Sequence, residues 1–153
     1  MTATPIAAIT GLGTAVPARV VTNADFEKYL ETSDQWIVER TGIRERRFAA
    51  PDETLASLCL TASITALAQA EITPAEVDAI ILGTITPDRR LPATACDLQA
   101  LLGAKNAIAF DVAAACPGWI YSLAIAEGLI ASGRARNILT LGAEKLSVVT
   151  DMS

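Results

Sequence analysis

The amino-acid sequence predicts an α/β fold in which a mostly parallel sheet is covered by helices. Short aliphatic runs alternate with longer segments of helical periodicity, which is the order that βαβ units produce. Hydrophobic residues make up 52% of the 153 residues and aromatic residues only 5%, so the core is aliphatic, as in other helix-covered parallel sheets. The length is enough for one ordinary domain with its own core.

Four segments are predicted as strands because they are aliphatic and are bounded by turn residues. They span residues 6–13, 77–85, 106–114 and 137–144. The first ends in Gly-Leu-Gly, and the second is a continuous aliphatic run of the kind expected for a buried strand.

Five segments are predicted as helices. They span residues 24–30, 32–41, 54–70, 94–102 and 117–132. Asn23 is expected to cap the first helix, and Gly103 and Gly133 are expected to end the last two. The helix over 54–70 is the clearest, because its apolar residues recur at the spacing of one helical face. The charged run Arg44-Glu45-Arg46-Arg47 is interpreted as a connection.

Composition and charge exclude several classes of function. The net charge of −5 argues against a nucleic-acid partner, and no apolar run is long enough to cross a bilayer. Three widely spaced cysteines make no disulfide framework and fit a reducing cytoplasm. The chain has no histidine, and its cysteines lack the spacing of a zinc site. The sequence therefore predicts a cytoplasmic protein without a metal or other bound cofactor, and with neither a nucleic-acid nor a membrane partner.

A candidate nucleophile, Cys116, follows the small residues Ala113 to Ala115 and precedes Pro117. Proline suits the first position of a helix, so Cys116 is expected at or next to the N-cap, where the helix amides favour a thiolate. The small neighbours leave room for a substrate. The residues alone are equally compatible with a second interpretation, in which Cys116 is a small buried hydrophobic residue.

The other two cysteines are interpreted as structural. Cys59 lies on the apolar face of the helix over 54–70, and Cys96 lies in a predicted helix beside Leu98 and Leu102.

Several motifs in order along the chain resemble one enzyme family. They are GLG at 11–13, TNAD at 22–25, TSDQWIVERTGIRER at 32–46, LPATACDLQ at 91–99 and FDVAAACPG at 110–118. Together they resemble the N-terminal half of a 3-oxoacyl-[acyl-carrier-protein] synthase III, a condensing enzyme with the layered thiolase-like fold. The resemblance covers essentially the whole chain, so residues 1–153 are expected to form one such half.

The resemblance implies that Cys116 accepts an acyl group from acyl-CoA as a thioester. Malonyl-acyl carrier protein then loses carbon dioxide and attacks this thioester to give a 3-oxoacyl product, which starts fatty-acid synthesis. In the family a histidine and an asparagine of the C-terminal half stabilise the enolate. Because the chain contains no histidine and stops after a predicted strand, we expect it to be truncated and inactive alone.

Trp36 and Arg40 lie four residues apart and therefore share one helix face. An indole beside a guanidinium suits an adenine nucleotide, because one stacks on the base and the other binds phosphate. The resemblance implies that both residues bind coenzyme A, with Thr32 nearby. The alternative is a tryptophan packed on the core beside a solvated arginine.

Leu91 precedes Pro92 in a loop after a predicted strand. The resemblance implies a homodimer in which this side chain closes the partner's acyl pocket. Many members carry phenylalanine at this position, so the resemblance does not determine which acyl chain is preferred. The alternative is an ordinary loop residue.

Two further functions stay open. One is a related thiolase-fold enzyme that uses only CoA substrates or makes a specialised metabolite. The other is a non-catalytic partner half that only dimerises.

Overall fold

The computed structural model describes residues 6–150, which divide into two compact units. The larger unit comprises described residues 6–15 and 54–144, and the smaller comprises 16–53 and 145–150. The strands are β1 (Arg19–Thr22), β2 (Glu45–Phe48), β3 (Ala79–Gly83), β4 (Ile108–Val112) and β5 (Ile138–Gly142). The helices are α1 (Asn23–Phe26), α2 (Asp34–Thr41), α3 (Leu55–Ala70), α4 (Thr94–Leu102) and α5 (Gly118–Ala131). Two short 3-10 turns cover Pro74–Glu76 and Leu146–Val148.

The larger unit contains a parallel three-stranded sheet with the order β4-β3-β5. All five residues of the central strand β3 are buried, which is why this segment reads as a continuous aliphatic run. Ile80 and Leu82 join the core with Leu55 of α3 and Leu98 of α4. The prediction of a mostly parallel, helix-covered sheet is therefore confirmed for this unit.

The opposite side of the sheet approaches α5 at two glycines. A Cβ added to Gly83, the last residue of β3, would lie 2.6 Å from the carbonyl carbon of Gly118, the first residue of α5. A Cβ added to Gly118 would lie 3.2 Å from the Cα of Gly83. The two backbones are thus in direct contact, and glycine is required where backbones approach so closely.

The predictions for the later helices and strands agree with the structure to within a few residues. The helix over 94–102 has the predicted bounds, and Gly103 follows it with a left-handed φ of 75°. Gly133 likewise has φ 69° after α5. Within residues 6–150, none of the helices combines the length and hydrophobicity that a membrane span requires.

The strand predicted over residues 6–13 is wrong, because none of these residues belongs to a strand. Their backbone lies against α3 instead. A Cβ on Gly13 would come within 2.0 Å of the Ala62 carbonyl oxygen, and the Leu12 N–H donates to Gln69 Oε1 at 2.6 Å. The segment is as aliphatic as a buried strand. Within this unit, however, it packs against helix α3 and does not pair with a strand.

The smaller unit is built on an antiparallel pair, β1 and β2, in which Arg19 lies opposite Phe48. The interpretation of residues 44–47 as a connection is wrong, since β2 begins at Glu45. Charged residues fit this strand because each has a partner. The Arg46 guanidinium lies 4.5 Å from the centre of the Phe26 ring and donates to the Asn23 Oδ1 at 2.8 Å.

The predicted cap of the first helix is also wrong, because the N-cap is Thr22. Asn23 is buried, and its amide nitrogen donates to Asp34 Oδ1 and to the Ile43 carbonyl oxygen, both at 2.8 Å. The Oδ1 of Asn23, the atom that would cap a helix, instead accepts the Arg46 guanidinium at 2.8 Å. The helix ends at Phe26, four residues earlier than predicted.

We expect Gly83→Ala to destabilise the protein, because its Cβ would overlap backbone that cannot rotate away. Overpacking of this kind costs about 1–3 kcal/mol, which a lower urea midpoint of the full-length protein would reveal. The matched control is Gly128→Ala in α5, where an added Cβ meets nothing within 4 Å. There we expect a stabilisation of about 0.5–1 kcal/mol, because alanine favours the helix. Equal midpoints for the two variants would contradict the importance of the contact.

Candidate active site

Cys116 lies in the turn that joins β4 to α5. It immediately precedes Pro117, the N-cap of α5, so the predicted position at or next to the N-cap is confirmed. Pro117 itself stands one position earlier than predicted. The thiol is exposed, which contradicts the alternative interpretation of a buried hydrophobic residue.

The backbone of this turn is strained. Ala115 has φ +51°, a left-handed conformation that costs a residue other than glycine about 1–3 kcal/mol. The Gly118 N–H donates to the Ala115 carbonyl oxygen at 2.8 Å, which closes the turn around Cys116. Such strain persists only where surrounding contacts hold it, and the Gly83–Gly118 contact lies directly beside it.

The three cysteines differ in accessibility. Cys59 is buried, and desolvation, followed by the nearby carboxylates of Asp111 and Asp88, raises the pKa of its thiol to about 12. Cys96 is partly buried, and its Sγ donates to the Ala109 carbonyl oxygen at 3.5 Å. The prediction that both are structural agrees with these positions. Only Cys116 presents an exposed thiol.

Glu144 follows β5 and binds the segment that follows β3. Its Oε1 accepts the Ile85 N–H at 2.9 Å, and its Oε2 accepts the Thr84 hydroxyl at 3.3 Å. The same oxygen accepts the hydroxyl of Thr86. On the other side, the Thr84 N–H donates to the Val112 carbonyl oxygen of β4 at 3.2 Å. The strand ends that border the Cys116 turn are therefore joined by hydrogen bonds.

Two aspartates bind the N-termini of the neighbouring helices. Asp111 of β4 accepts the N–H groups of Thr94 and Ala95 at 2.8 and 2.9 Å, and this replaces the cap that Ala93 cannot provide. Asp88 accepts the first two N–H groups of α3, at 3.0 and 3.2 Å. Sequence analysis missed Glu144, Asp88 and Asp111. The one sequence signal was Ala93, which precedes the predicted helix and has no side chain that could cap it, so that another residue had to bind the first N–H groups.

Leu91 lies in the connection from β3 to α4, within residues 84–93, and is 85% exposed. It is the most exposed of the large hydrophobic residues in the described part of the chain. Like Cys116, it belongs to the larger unit.

Trp36, Arg40 and Thr32 belong to the smaller unit. The Arg40 guanidinium carbon lies 4.6 Å from the centre of the Trp36 ring, so the structure brings this predicted pair together. Trp36 is 52% exposed, so about half of its surface is open to solvent. The hydroxyl of Thr32 is buried and has no hydrogen-bond partner among the described residues. The cysteines and carboxylates of residues 6–150 form no group of three that could hold a metal ion.

Comparisons with known proteins agree with this arrangement. The family model for 3-oxoacyl-[acyl-carrier-protein (ACP)] synthase III matches residues 110–153. A beta-ketoacyl-[acyl-carrier-protein] synthase III from Roseiflexus castenholzii is 56% identical over 87% of this chain and 40% of its own length. The crystal structure of the 3-oxoacyl-[acyl-carrier-protein] synthase III from Aquifex aeolicus is 50% identical, with a TM-score of 0.90 over 95% of this chain and 47% of that one. The priming beta-ketosynthase of the R1128 polyketide pathway is 36% identical, with a TM-score of 0.90 over 94% of this chain and 43% of its own.

The chain spans less than half the length of these relatives. Over that span the predicted thiolase-like α/β fold is confirmed. The chain belongs to the 3-oxoacyl-[acyl-carrier-protein] synthase III family.

Proposed function

We propose that this chain supplies the acyl-accepting cysteine of an enzyme that condenses an acyl-CoA starter with malonyl-acyl carrier protein and thereby starts fatty-acid synthesis. One observation carries the proposal: Cys116 is an exposed thiol on a strained turn at the start of α5. This is the arrangement expected of a nucleophile that must be reached by a substrate. The names of the similar proteins support the choice of reaction.

In the first step the Cys116 thiolate attacks the thioester carbonyl of acyl-CoA. The carbonyl electrons move onto oxygen, and the backbone N–H of Cys116 is proposed to donate to this oxyanion. Collapse of the tetrahedral intermediate releases the CoA thiolate and leaves the acyl group on sulfur. The nucleophile lies in the turn between β4 and α5, and its thiol is exposed.

In the second step malonyl-acyl carrier protein loses carbon dioxide, and the resulting enolate carbon attacks the acyl thioester. Breakdown of this intermediate gives 3-oxoacyl-acyl carrier protein and restores the Cys116 thiolate. The histidine that the family resemblance assigns to this step is not among residues 1–153. In this proposal residues 1–153 form the N-terminal half of the enzyme. Acyl-CoA takes part as a substrate, and the reaction as written uses no further cofactor.

Trp36, Arg40 and Thr32 are proposed to bind coenzyme A. The guanidinium already lies over one face of the indole, and such a pair offers an aromatic face for adenine and a cation for phosphate. The buried Thr32 hydroxyl without a partner among the described residues fits a group that bonds to a ligand, because buried hydroxyls are nearly always paired.

Leu91 is proposed to close the acyl pocket of a partner subunit in a homodimer. A leucine that is 85% exposed leaves most of its apolar surface in water, which a partner pocket would remove. A cytoplasmic location stays a prediction from the cysteine content.

A condensing enzyme of specialised metabolism is the second candidate. It is favoured by the similarity to the R1128 priming enzyme and by leucine at a position where phenylalanine is more usual in the family. Both candidates use the same acyl-cysteine. A comparison of starter acyl-CoAs of different length and branching would therefore separate them, whereas a non-catalytic partner would accept none.

We expect one acyl group on Cys116 when the full-length protein is incubated with acetyl-CoA without malonyl substrate. The acylated peptide is identified by its mass. Cys116→Ser should abolish condensation, because a serine hydroxyl is too weakly acidic to attack without a general base.

Cys96→Ser is the matched control and should still be acylated, since that thiol is partly buried and bonded to backbone. An acyl group found on Cys59 or Cys96, or full condensation by Cys116→Ser, would overturn the proposal.

We expect Trp36→Ala and Arg40→Ala to raise the KM for acyl-CoA on the order of tenfold each, the loss typical of one stacking or phosphate contact. The turnover number should change less, because these contacts are equal in the ground and transition states. Steady-state kinetics of the full-length protein measure both constants. Arg134→Ala, at an exposed arginine of the larger unit, is the control. Unchanged acyl-CoA kinetics in both variants would show that this pair does not bind the substrate.

A further inference from the structure

The loop between β3 and α4, residues 84–93, is held by carboxylates at several points along its length. We propose that Glu144 is a positioning residue that fixes this loop and thereby sets the acyl-chain selectivity exerted through Leu91. The inference rests on the proposed function, because it takes Leu91 to be part of an acyl pocket. It adds a residue that follows β5 and touches neither Cys116 nor Leu91 in the contacts described above.

Glu144 binds three consecutive residues at the start of the loop. Its two oxygens accept the Ile85 N–H and the hydroxyls of Thr84 and Thr86. Thr84 and Thr86 are buried, so their hydroxyls need a partner, and the ionised carboxylate is a strong one. The Thr86 N–H also donates to the Thr84 hydroxyl oxygen at 3.2 Å. Each of these bonds restrains the direction in which the loop leaves β3.

Two further contacts restrain the middle of the loop. Asp88 accepts the first N–H groups of α3, and the Arg89 guanidinium donates to Asp97 of α4 at 2.5 Å. The far end is fixed where α4 begins, since Asp111 accepts the N–H groups of Thr94 and Ala95. Between these contacts only Arg90 to Ala93 remain, and Leu91 is among them.

The three carboxylates Asp88, Asp111 and Glu144 differ in which backbone and side-chain groups they bind. Asp88 and Asp111 bind helix N-termini, so their loss would leave helix amides without partners and disturb α3 or α4. Glu144 is an exposed residue, and among the described residues its carboxylate accepts hydrogen bonds from the loop residues 84, 85 and 86. Removal of Glu144 is therefore the change that releases the loop with the least effect on the helices.

The exposure of Leu91 explains why the loop needs to be held. A leucine that is 85% exposed gains little packing energy within the described chain, so apolar contacts hold it only weakly. The polar contacts of residues 84–89 hold the loop instead. Acyl-chain selectivity depends on small differences in the space left for methylene groups, so a loop that moves would lose discrimination before it lost chemistry.

The test compares Glu144→Ala and Glu144→Gln in the full-length protein. Glutamine keeps an oxygen that can accept the Ile85 N–H but loses the charge, so its effect should be intermediate. Glu127→Gln, at an exposed position of α5, is the matched control. The readouts are the kcat/KM values for acetyl-CoA and octanoyl-CoA, the rate of Cys116 acylation by the better substrate, and hydrogen–deuterium exchange of residues 84–93.

We expect Glu144→Ala to change the acetyl-to-octanoyl ratio of kcat/KM on the order of tenfold. This is the lower end of the discrimination that one methylene group produces in an apolar pocket. Acylation by the better substrate should stay within about threefold of the wild type, since the group that reacts is untouched. Exchange in residues 84–93 should accelerate, and exchange in β3 should not, which distinguishes a released loop from general destabilisation.

Equal losses with both substrates, or unchanged exchange in the loop, would overturn the inference. A wild-type protein that is not acylated on Cys116 would contradict the proposed function and the selectivity role with it. An acylated wild type with an unchanged ratio in Glu144→Ala would contradict this inference alone.

Discussion

The backbone contact between Gly83 and Gly118 is the constraint on which the candidate site depends. Parallel strands end at the same edge of a sheet, and here the end of β3 touches the first residue of α5 without any side chain between them. This contact leaves residues 113–117 only a short path from the end of β4 to the helix. The exposed turn around Cys116 and the left-handed conformation of Ala115 follow from that short path.

The same sheet edge also explains why polar residues cluster there. Each strand end leaves backbone groups that the sheet no longer pairs, and buried polar groups must find partners. The Val112 carbonyl oxygen accepts the Thr84 N–H, and the Gly83 carbonyl oxygen accepts the Ala143 N–H. Glu144 continues this pairing beyond β5 with a side chain. One set of hydrogen bonds therefore pairs the backbone groups at the strand ends and also positions the loop over residues 84–93.

Sequence analysis predicted those parts of the fold whose causes are local. The bounds of α4 agreed because helical periodicity ends at a glycine that adopts φ 75°, and β3 agreed because a strand buried on both faces must be aliphatic. The strand predicted at residues 6–13 does not form. A strand needs a neighbouring strand to pair with, and the local sequence does not show whether one is present. Likewise, Asp88 lies 33 residues from Leu55, and Glu144 lies 59 residues from Ile85. Contacts over such separations are visible only once the chain is folded, whereas the position of Cys116 next to a helix N-cap could be predicted from its immediate neighbours.

The cysteines show how placement alone gives one residue type different chemistry. Cys59 lies in the core with two carboxylates nearby, so burial and charge both favour its protonated form. Those carboxylates, Asp111 and Asp88, are where they are because they bind the N-termini of α4 and α3. After desolvation, which contributes most, the carboxylates that complete the two helices therefore also raise the pKa of the Cys59 thiol. Cys116 follows the same sheet edge but lies outside the core, and its thiol is exposed.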